Sequence, residues 1–487
     1  MAEPVLDECP VLGWAASGGM ALTGFADGAP VASAAPAFGR LTAAVGELAA
    51  LTRATGVEVR ADPGELVAGR AALAGFGRQG QVSAGGSARL LRASDGWCAV
   101  SLSRAEDVAA VPAVVGVLGG SAAGPVDEVD GAWGALERVA AAAGAEEVAE
   151  AAQLLGVPSA ALPASALPAS AWPGEGGPAS SASVGPAWPL GGEWPPGRVS
   201  RIAGRSGEAR LAGAVVVDLS SMWAGPLCAR LLGLAGADVI KVESTGRPDG
   251  GRAGSRPFFD WLHGGHRSVA VDFRTGSGRR ALAALLAAAD VVIEASRPRA
   301  LGALGLAPEM IPHRDGQVWL SITGYGRADP GLAGLVAFGD DAAVAGGLVG
   351  WTSAAGGDGE AEPVFCADAI ADPLTGVCGA LAVARSVAGG GGDLIDLPMR
   401  SVAAAFASAP AVEHGAHPVR LSAGLGGGGA DAVVTCEWLG RTQAVLRPRP
   451  PELADGGGGG NTGSAGHAAE LGADTAAVLA WLAARSG

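Results

Sequence analysis

Basic side chains are scarce in this chain, and lysine is almost absent: Lys241 is the single lysine, and arginine carries the rest of the basic charge. With 33 Lys and Arg against 48 Asp and Glu, the formal net charge is −15. Nucleic acids and anionic membranes bind proteins that present a positive field, so this balance argues against both as partners. A ligand that carries phosphate must therefore be held by a local cluster of arginines.

The chain also lacks the spacings and segments that mark metal sites, signal peptides and membrane spans. The six cysteines form no CxxC pair and have no histidine at a zinc-like spacing, so we expect buried, reduced thiols and no metal, in preference to a disulfide framework. The N-terminus has no basic region followed by an apolar one, and no apolar run is long enough to cross a bilayer. We expect a cytoplasmic protein.

Composition divides the 487 residues, which are 49% hydrophobic, into four regions. Residues 1–160 are predicted to form a small α+β region, because 89–103 resembles two short strands around an Asp-Gly turn and 133–155 has helical apolar spacing. Residues 161–210 are rich in Pro, Ala and Trp and predict a linker or an arm. Residues 211–405 form the core, and 406–487 a Gly-rich segment with a final helix near 475–485.

The core is predicted to be α/β, a Rossmann-like parallel sheet with helices on both faces. Apolar runs at 215–219, 239–242, 268–271, 291–294 and 318–322 alternate with helical patterns at 225–235 and 278–289. Ligands of such sheets lie beyond the carboxyl ends of the strands, which points to the loops at 220–225, 243–256, 295–299 and 323–330. The first turn has no GxGxxG, which disfavours a dinucleotide site.

Five blocks carry a family resemblance: DLSSMWAGPLCARLLGLAGADVIKVES, HRSVAVDFRTGSGRRAL, ADVVIEASRPRALGALGL, WLSITGYGRADP and VFCADAIADPLTGVCGALAVARS. In order and spacing they resemble the class III CoA-transferases, the family of formyl-CoA transferase, carnitine CoA-transferase and α-methylacyl-CoA racemase. ASDGWCAVSLSR and LLGVPSAAL resemble the small domain that normally follows the core. Residues 17–30 resemble a second copy of part of 346–363, so the chain looks rearranged or partly duplicated. No carboxylate follows that copy at a comparable offset, which predicts one active site per chain.

The resemblance implies that Asp372 is the nucleophile. A carboxylate attacks a thioester because the CoA thiolate leaves easily, giving a mixed anhydride and then an enzyme-bound CoA thioester. Asp372 precedes Pro373 at the start of an Ala-rich helix, where the helix dipole favours the ionised form. The same pair also suits a plain N-cap and N1 position, which is the structural alternative. Backbone N–H groups of loops such as 323–326 would face the oxyanion.

The resemblance further implies CoA thioester and a carboxylic acid as substrates, with no permanently bound cofactor. It assigns the nucleotide to Trp223, Ala224, Ser296 and Arg297, while arginine-rich strand ends add other phosphate-binding candidates: Arg247, Arg252, Arg256, Arg267, Arg274 and Arg299. Of these, Arg247 and Arg267 are predicted to bind the phosphates of CoA. Arginines typical of the family are replaced by Ser244 and Ala303. Lys241 is interpreted either as a fold-supporting lysine at a strand end or as a ligand contact.

Two alternatives to CoA transfer stay open. Racemase chemistry, which moves an α-proton, is the enzymatic alternative. The racemases of the family carry a His-Asp pair where this chain has Asp340 and Asp341, and the missing histidine favours CoA transfer over this alternative. A catalytically inactive paralogue that binds an acyl-CoA or a partner is the other. The resemblance also predicts a homodimer.

Overall fold

The computed structural model describes residues 9–120, 129–166, 197–352, 361–409, 417–421, 432–452 and 466–486. The predicted arm at 161–210 therefore lies outside the described residues except for its two ends. Among the described residues, no helix is long and apolar enough to cross a membrane.

The elements of the described chain are bounded as follows. The helices are α1 Pro10–Ala16, α2 Ala35–Thr55, α3 Pro63–Ala74, α4 Ala105–Val117, α5 Val129–Ala140, α6 Ala145–Leu154, α7 Ala224–Leu234, α8 Arg256–His263, α9 Gly276–Ala288, α10 Pro298–Ala303, α11 Gly339–Ala345, α12 Ala371–Ala388, α13 Met399–Ala407 and α14 Thr475–Ser486. The strands are β1 Ala88–Arg92, β2 Trp97–Ser101, β3 Ser159–Ala161, β4 Arg198–Arg201, β5 Val215–Asp218, β6 Asp238–Ser244, β7 Arg267–Val271, β8 Val291–Glu294, β9 Val318–Thr323, β10 Gly350–Trp351, β11 Pro363–Val364, β12 Asp393–Pro398, β13 Val419–Leu421, β14 Ala432–Cys436 and β15 Arg441–Ala444.

A seven-stranded sheet in the order β4-β12-β9-β8-β5-β6-β7 forms the centre of the molecule. Its six parallel strands follow the doubly wound order, and only the edge strand β4 is antiparallel. The predicted α/β class and the Rossmann-like sheet are confirmed. The strand order reverses between β5 and β8, so the loops after these two strands flank the crevice where such sheets bind ligands.

Alternating side chains bury the two faces of this sheet in separate cores. Val216, Ile293 and Leu320 pack on one face with α7 and α12, and Val217 and Trp319 pack on the other with α9 and α14. Because both faces are covered, the strands are almost wholly apolar, which is why the sequence predicts them within about two residues of their ends.

The three N-terminal helices share the first of these cores. Leu41 and Leu48 of α2 are fully buried in the same cluster as Leu381 of α12. Nε of Arg385 donates to Glu47 at 2.7 Å, which ties α12 to α2 at their surface. Helices α1 to α3 therefore pack on the Rossmann core.

The small α+β unit consists of the sheet β1-β2-β3 and helices α4 to α6. Strands β1 and β2 pair around the predicted Asp-Gly turn. The other face of this sheet packs on α11 through residues such as Val344, so β2 lies close to the start of α11. The final helix α14 is confirmed where it was predicted.

Candidate active site

Asp372 is the second residue of α12, and its side chain does not cap that helix. The helix begins at Ala371, its N-cap position is Ile370, and no side chain makes a capping hydrogen bond. The structural alternative, an Asp-Pro pair at N-cap and N1, is therefore wrong by two positions, since Pro373 is the third helical residue. The carboxylate still lies in the first turn, where the helix dipole favours negative charge.

Two further helices begin beside this carboxylate. The backbone N–H groups of Ala224 and Gly339, the first residues of α7 and α11, lie close to Asp372 and oppose the rise of its pKa. A Cβ atom added at Gly339 would overlap Asp372 Oδ2 and the carbonyl oxygen of Ala369. Glycine is thus required at this position because the backbone of α11 approaches the carboxylate so closely.

Three more aspartates surround Asp372, and each of them is buried. Asp340 accepts a hydrogen bond from the N–H of Ala369 at 3.1 Å. Asp341 accepts from Ser101 Oγ at 2.9 Å, which connects the small α+β unit to the start of α11. Asp368 and Asp341 are at most 1% exposed and Asp340 is 9% exposed, whereas Asp372 is partly exposed. Of these four carboxylates, Asp372 is the one that a ligand reaches most easily.

Burial shifts the titration of this cluster. It raises the pKa of Asp372 to about 7, with Asp368 adding to the shift and Arg70 opposing it. Burial, reinforced by Asp368, raises the pKa of Asp340 to about 8. Burial also raises the pKa of Asp341 to about 7, against the hydrogen bonds from Phe338 and Ser101. The site therefore holds fewer negative charges at neutral pH than its four carboxyl groups suggest.

Arg70 of α3 supplies the positive charge closest to this cluster. Its Nη1 lies 2.6 Å from Asp368 Oδ1, and its guanidinium lies over the rings of Trp223 and Phe258 at 5.3 and 5.8 Å. Sequence reasoning missed this residue because 298 positions separate the two partners. Asp368 lies four residues before Asp372 in the sequence, and this closeness was the feature that could have indicated it as a site residue.

The backbone on either side of Asp368 is strained. Ala367 and Ala369 have φ values of 53° and 43°, in the left-handed region that alanine rarely adopts. Thr23 Oγ1 accepts from the N–H of Ala367 at 3.0 Å, and Asp340 holds the N–H of Ala369. Strain of this kind persists where surrounding contacts hold it, and it is frequent at functional sites.

Lys241 supports the loop after β5. Its ammonium lies 2.8 Å from Asp249 Oδ2 and donates to the carbonyl oxygen of Ser220 at 3.0 Å, and the residue is 1% exposed. Asp249 in turn accepts from the N–H of Met222, whose φ is 72°. The structural interpretation of this lysine therefore agrees with its surroundings.

The predicted phosphate-binding arginines separate into two groups. Within the described chain, Arg247, Arg297 and Arg299 have no ion pair with a carboxylate. Burial and the guanidinium groups of Arg299, Arg104 and Arg247 lower the pKa of Arg297, so these three cations lie in the surroundings of Arg297. We call these four residues the arginine cluster. Arg297 follows β8, at the reversal of the strand order, and the half-buried Ser296 immediately precedes it.

The remaining arginines are engaged with carboxylates. They are Arg252 with Glu243, Arg256 with Asp260 and Glu470, Arg267 with Asp238, and Arg274 with Asp272. Arg267 and Asp238 begin β7 and β6, so this pair lies at the amino edge of the parallel sheet, opposite the loops that bear the site. The sequence shows that an arginine lies near a strand end, but it does not show whether that end is at the amino or the carboxyl edge of the sheet.

Arg104 connects the arginine cluster with the surroundings of Asp372. Its guanidinium lies 5.6 Å from the ring centroid of Phe338, the residue before Gly339. Trp223 is 3% exposed, and its neighbour Ala224 directs its N–H toward Asp372. In the predicted oxyanion loop, the N–H of Gly326 donates to Thr323 Oγ1 at 2.8 Å and is thus engaged.

Asp340→Asn should change the pH dependence of stability. Burial raises the folded pKa of Asp340 to about 8, while an unfolded Asp titrates near about 3.9. The stability that its protonation contributes is fully present below the unfolded pKa and is lost as pH rises through about 8. The amide keeps the acceptor for Ala369, so we expect the variant to gain on the order of 2 kcal/mol relative to wild type between about pH 4 and pH 8.

Urea unfolding at a series of pH values measures this difference. The exposed Glu150→Gln on α6 is the control and should follow wild type. Parallel stability curves for Asp340→Asn and wild type would show that Asp340 titrates normally.

Comparisons with known proteins find similarity mainly in the central part of the chain. Residues 211–431 match the model of CoA-transferase family III. The succinate–glutarate CoA-transferase of Agrobacterium fabrum is 29% identical over 232 residues, 43% of this chain and 57% of the relative. The formyl-CoA:oxalate CoA-transferase of Escherichia coli is 29% identical over 175 residues, 34% of this chain and 41% of the relative.

A solved structure of a CAIB/BAIF family protein from Brucella suis is 30% identical, with a TM-score of 0.35, and the match covers 41% of this chain and 55% of that protein. The chain thus spans roughly two fifths to three fifths of the length of these relatives.

Proposed function

We propose that the protein is an acyl-CoA:carboxylate CoA-transferase that works through Asp372, starting from the match of residues 211–431 to the model of CoA-transferase family III. The observation that supports this most is the placement of Asp372: a partly exposed carboxylate in the first turn of α12, with the first N–H groups of α7 and α11 directed at it. Its buried neighbours Asp340, Asp341 and Asp368 are less accessible.

The proposed reaction exchanges acyl groups between oxygen and sulfur and involves no oxidation or reduction. A carboxylate oxygen of Asp372 attacks the thioester carbonyl carbon, the carbon–sulfur bond breaks, and CoA leaves as the thiolate, giving a mixed anhydride. The thiolate then attacks the aspartyl carbonyl carbon and releases the donor acid, which leaves CoA joined to Asp372 as a thioester. The acceptor carboxylate attacks this thioester, and the returning thiolate takes the acceptor acyl group and restores the Asp372 carboxylate.

The N–H groups of Ala224 and Gly339 would act in the steps that attack the aspartyl carbonyl carbon. In those steps negative charge develops on an oxygen that belongs to Asp372 itself, and donors fixed at helix starts stabilise such an oxyanion without reorganising. A pKa of about 7 leaves a substantial fraction of Asp372 ionised at neutral pH, in surroundings that increase its reactivity by removing water.

We assign the phosphates of CoA to the arginine cluster and, from the family resemblance, the nucleotide to Ser296 and Trp223. Arg297 and Arg247 carry guanidinium groups with no carboxylate partner in the described chain, and unpaired arginines are suited to bidentate phosphate contacts. Arg104 lies between this region and Phe338, but its guanidinium is paired with Asp107, so the phosphates are assigned to the other three members of the cluster. Arg267 is not included, since it is paired with Asp238 at the other edge of the sheet.

The two alternatives have less support. Racemase chemistry requires two bases, and the positions of the family's His-Asp pair hold Asp340 and Asp341, whose carboxylates are buried and hydrogen-bonded to Ala369 and Ser101. An inactive paralogue is suggested by Ser244 and Ala303, which stand where the family has arginines. The homodimer and the cytoplasmic location stay predictions.

Asp372→Asn should abolish CoA transfer while leaving the protein folded. The amide keeps the size of the side chain but loses the nucleophilic oxygen, so we expect transfer to fall by at least about 10³-fold. Folding stability at neutral pH should be equal or higher, because the raised pKa of Asp372 means that its ionised form costs free energy in the folded state.

Transfer is measured with formyl-CoA and oxalate, and with the CoA thioester of succinate and glutarate, the substrates that the names of the two relatives indicate. Asp130→Asn is the matched control, since Asp130 is also the second residue of its helix but is exposed on α5. Transfer by Asp372→Asn at the rate of Asp130→Asn would refute the proposed nucleophile.

CoA should stabilise the folded protein through Arg297. A ligand that binds only the native state adds about 2.7 kcal/mol at a hundredfold excess over its Kd. Loss of one charge-assisted phosphate contact costs about 1.5–3 kcal/mol, so Arg297→Ala should need about 10- to 100-fold more CoA for the same thermal shift. Arg267→Ala is the control and should respond to CoA as wild type does.

Thermal unfolding with a series of CoA concentrations gives both results. If CoA raised the unfolding temperature of Arg297→Ala and of wild type equally, the arginine cluster would not be the phosphate site. A wild-type protein without any shift at millimolar CoA would favour the inactive paralogue.

A further inference from the structure

Three side chains with metal-binding atoms meet at a place remote in sequence from the transferase residues. Cys9, His417 and Cys436 each offer one ligand atom, and the three atoms lie within 4.8 Å of one another. Cys9 Sγ lies 3.2 Å from His417 Nε2. The first and second of these residues are 408 positions apart, so only the folded chain assembles this set.

The spacing of these atoms is close to that of a tetrahedral zinc site. With Zn–S bonds of about 2.3 Å and Zn–N bonds of about 2.0–2.1 Å, the ligand atoms of such a site are separated by about 3.6 Å (S to N) and about 3.8 Å (S to S). Small side-chain adjustments within the observed 4.8 Å reach these values. Two thiolates and an imidazole are ligands that zinc prefers over the hard cations Mg²⁺ and Ca²⁺.

The surrounding fold presents the three ligands from separate elements. Cys9 immediately precedes α1, His417 lies shortly before β13, and Cys436 ends β14. Cys9 and Cys436 are buried, and His417 is partly exposed, which leaves a route by which an ion enters. Among the described residues, the other cysteines form no such group with His, Asp or Glu.

The three ligands lie where the C-terminal sheet packs against α1, so an ion bound there would connect these two parts. Strands β13, β14 and β15 form a small antiparallel sheet of their own, and a sheet of this size depends on an apolar face or a packed helix for its stability. The sheet packs on α1 through apolar residues such as Val434, and the N–H of Leu446 donates to the carbonyl oxygen of Ala15 at 2.8 Å. An ion shared by Cys9, His417 and Cys436 would fasten this sheet to α1.

We propose that Cys9, His417 and Cys436 bind one zinc ion that joins the N-terminal helix to the C-terminal sheet. The described residues supply three ligands, so water would occupy the fourth position, and the ion would act by joining these two elements. The sequence argued against a metal because no two ligands have a zinc-like local spacing, a criterion that does not detect a site assembled from both ends of the chain. This proposal is independent of the proposed transferase activity.

Metal content tests the site directly. The full chain is purified, loaded with zinc under reducing conditions, dialysed, and analysed by inductively coupled plasma mass spectrometry. We expect one zinc per chain in wild type and in Cys98→Ala, whose buried thiol lies in the small α+β unit, and less than about 0.2 in Cys9→Ser, Cys436→Ser and His417→Asn. Because His417 is partly exposed, its variant keeps the test valid even where a cysteine variant fails to fold.

Cobalt substitution identifies the ligands. Co²⁺ in a tetrahedral site with thiolates gives an intense sulfur-to-metal charge-transfer absorption, which should appear in wild type and Cys98→Ala and be lost in Cys9→Ser and Cys436→Ser. Zinc-free wild-type protein after loading, zinc retained by both cysteine variants, or a Cys9–Cys436 disulfide in peptides from protein purified under reducing conditions would each overturn the proposal.

Discussion

The concentration of four carboxylates in a buried space is the constraint on which the site depends. Asp340, Asp341, Asp368 and Asp372 interact with one another, and burial raises the pKa of each. For Asp372 the opposing contributions are the guanidinium of Arg70 and the backbone N–H groups at the starts of α7 and α11, and for Asp341 they are the hydrogen bonds from Phe338 and Ser101. The close approach of α11 that requires Gly339 and the left-handed backbone of Ala367 and Ala369 are consequences of bringing these groups together.

The N-terminal part of the chain contributes directly to this arrangement. Arg70 of α3 pairs with Asp368, Thr23 holds the strained Ala367, and Ser101 of β2 donates to Asp341. Arg104 brings a fourth cation to the arginine cluster. Residues 211–405 alone would thus hold the carboxylates without their nearest cation. The N-terminal region supplies contacts to two of the four carboxylates and to the backbone beside one of them.

The strands of the Rossmann-like sheet were predictable because each is buried on both faces and is almost continuously apolar. The exception is β12, where Asp393 and Asp396 interrupt the apolar run, and it was missed. Asp372 was indicated by the family resemblance of the block that contains it, and it stays a prediction. The sequence did not indicate Arg70, because a pairing across 298 residues leaves no local pattern. Arg267 lies at a strand end in the sequence, but the sequence does not show whether that is the amino or the carboxyl end of the sheet. The parallel register of β6 with β7 places it at the amino edge, away from the loops that bear the candidate site.

Chemical trapping of Asp372 during turnover tests the central claim most directly. Hydroxylamine converts an activated carboxyl group, either anhydride or thioester, into a hydroxamate, and peptide mass spectrometry locates the modified residue. The mechanism predicts a hydroxamate at Asp372 that appears only when an acyl-CoA substrate is present and that is absent from Asp372→Asn. Continued transfer of CoA between acids with Asp372 unmodified, or modified equally without acyl-CoA, would contradict it.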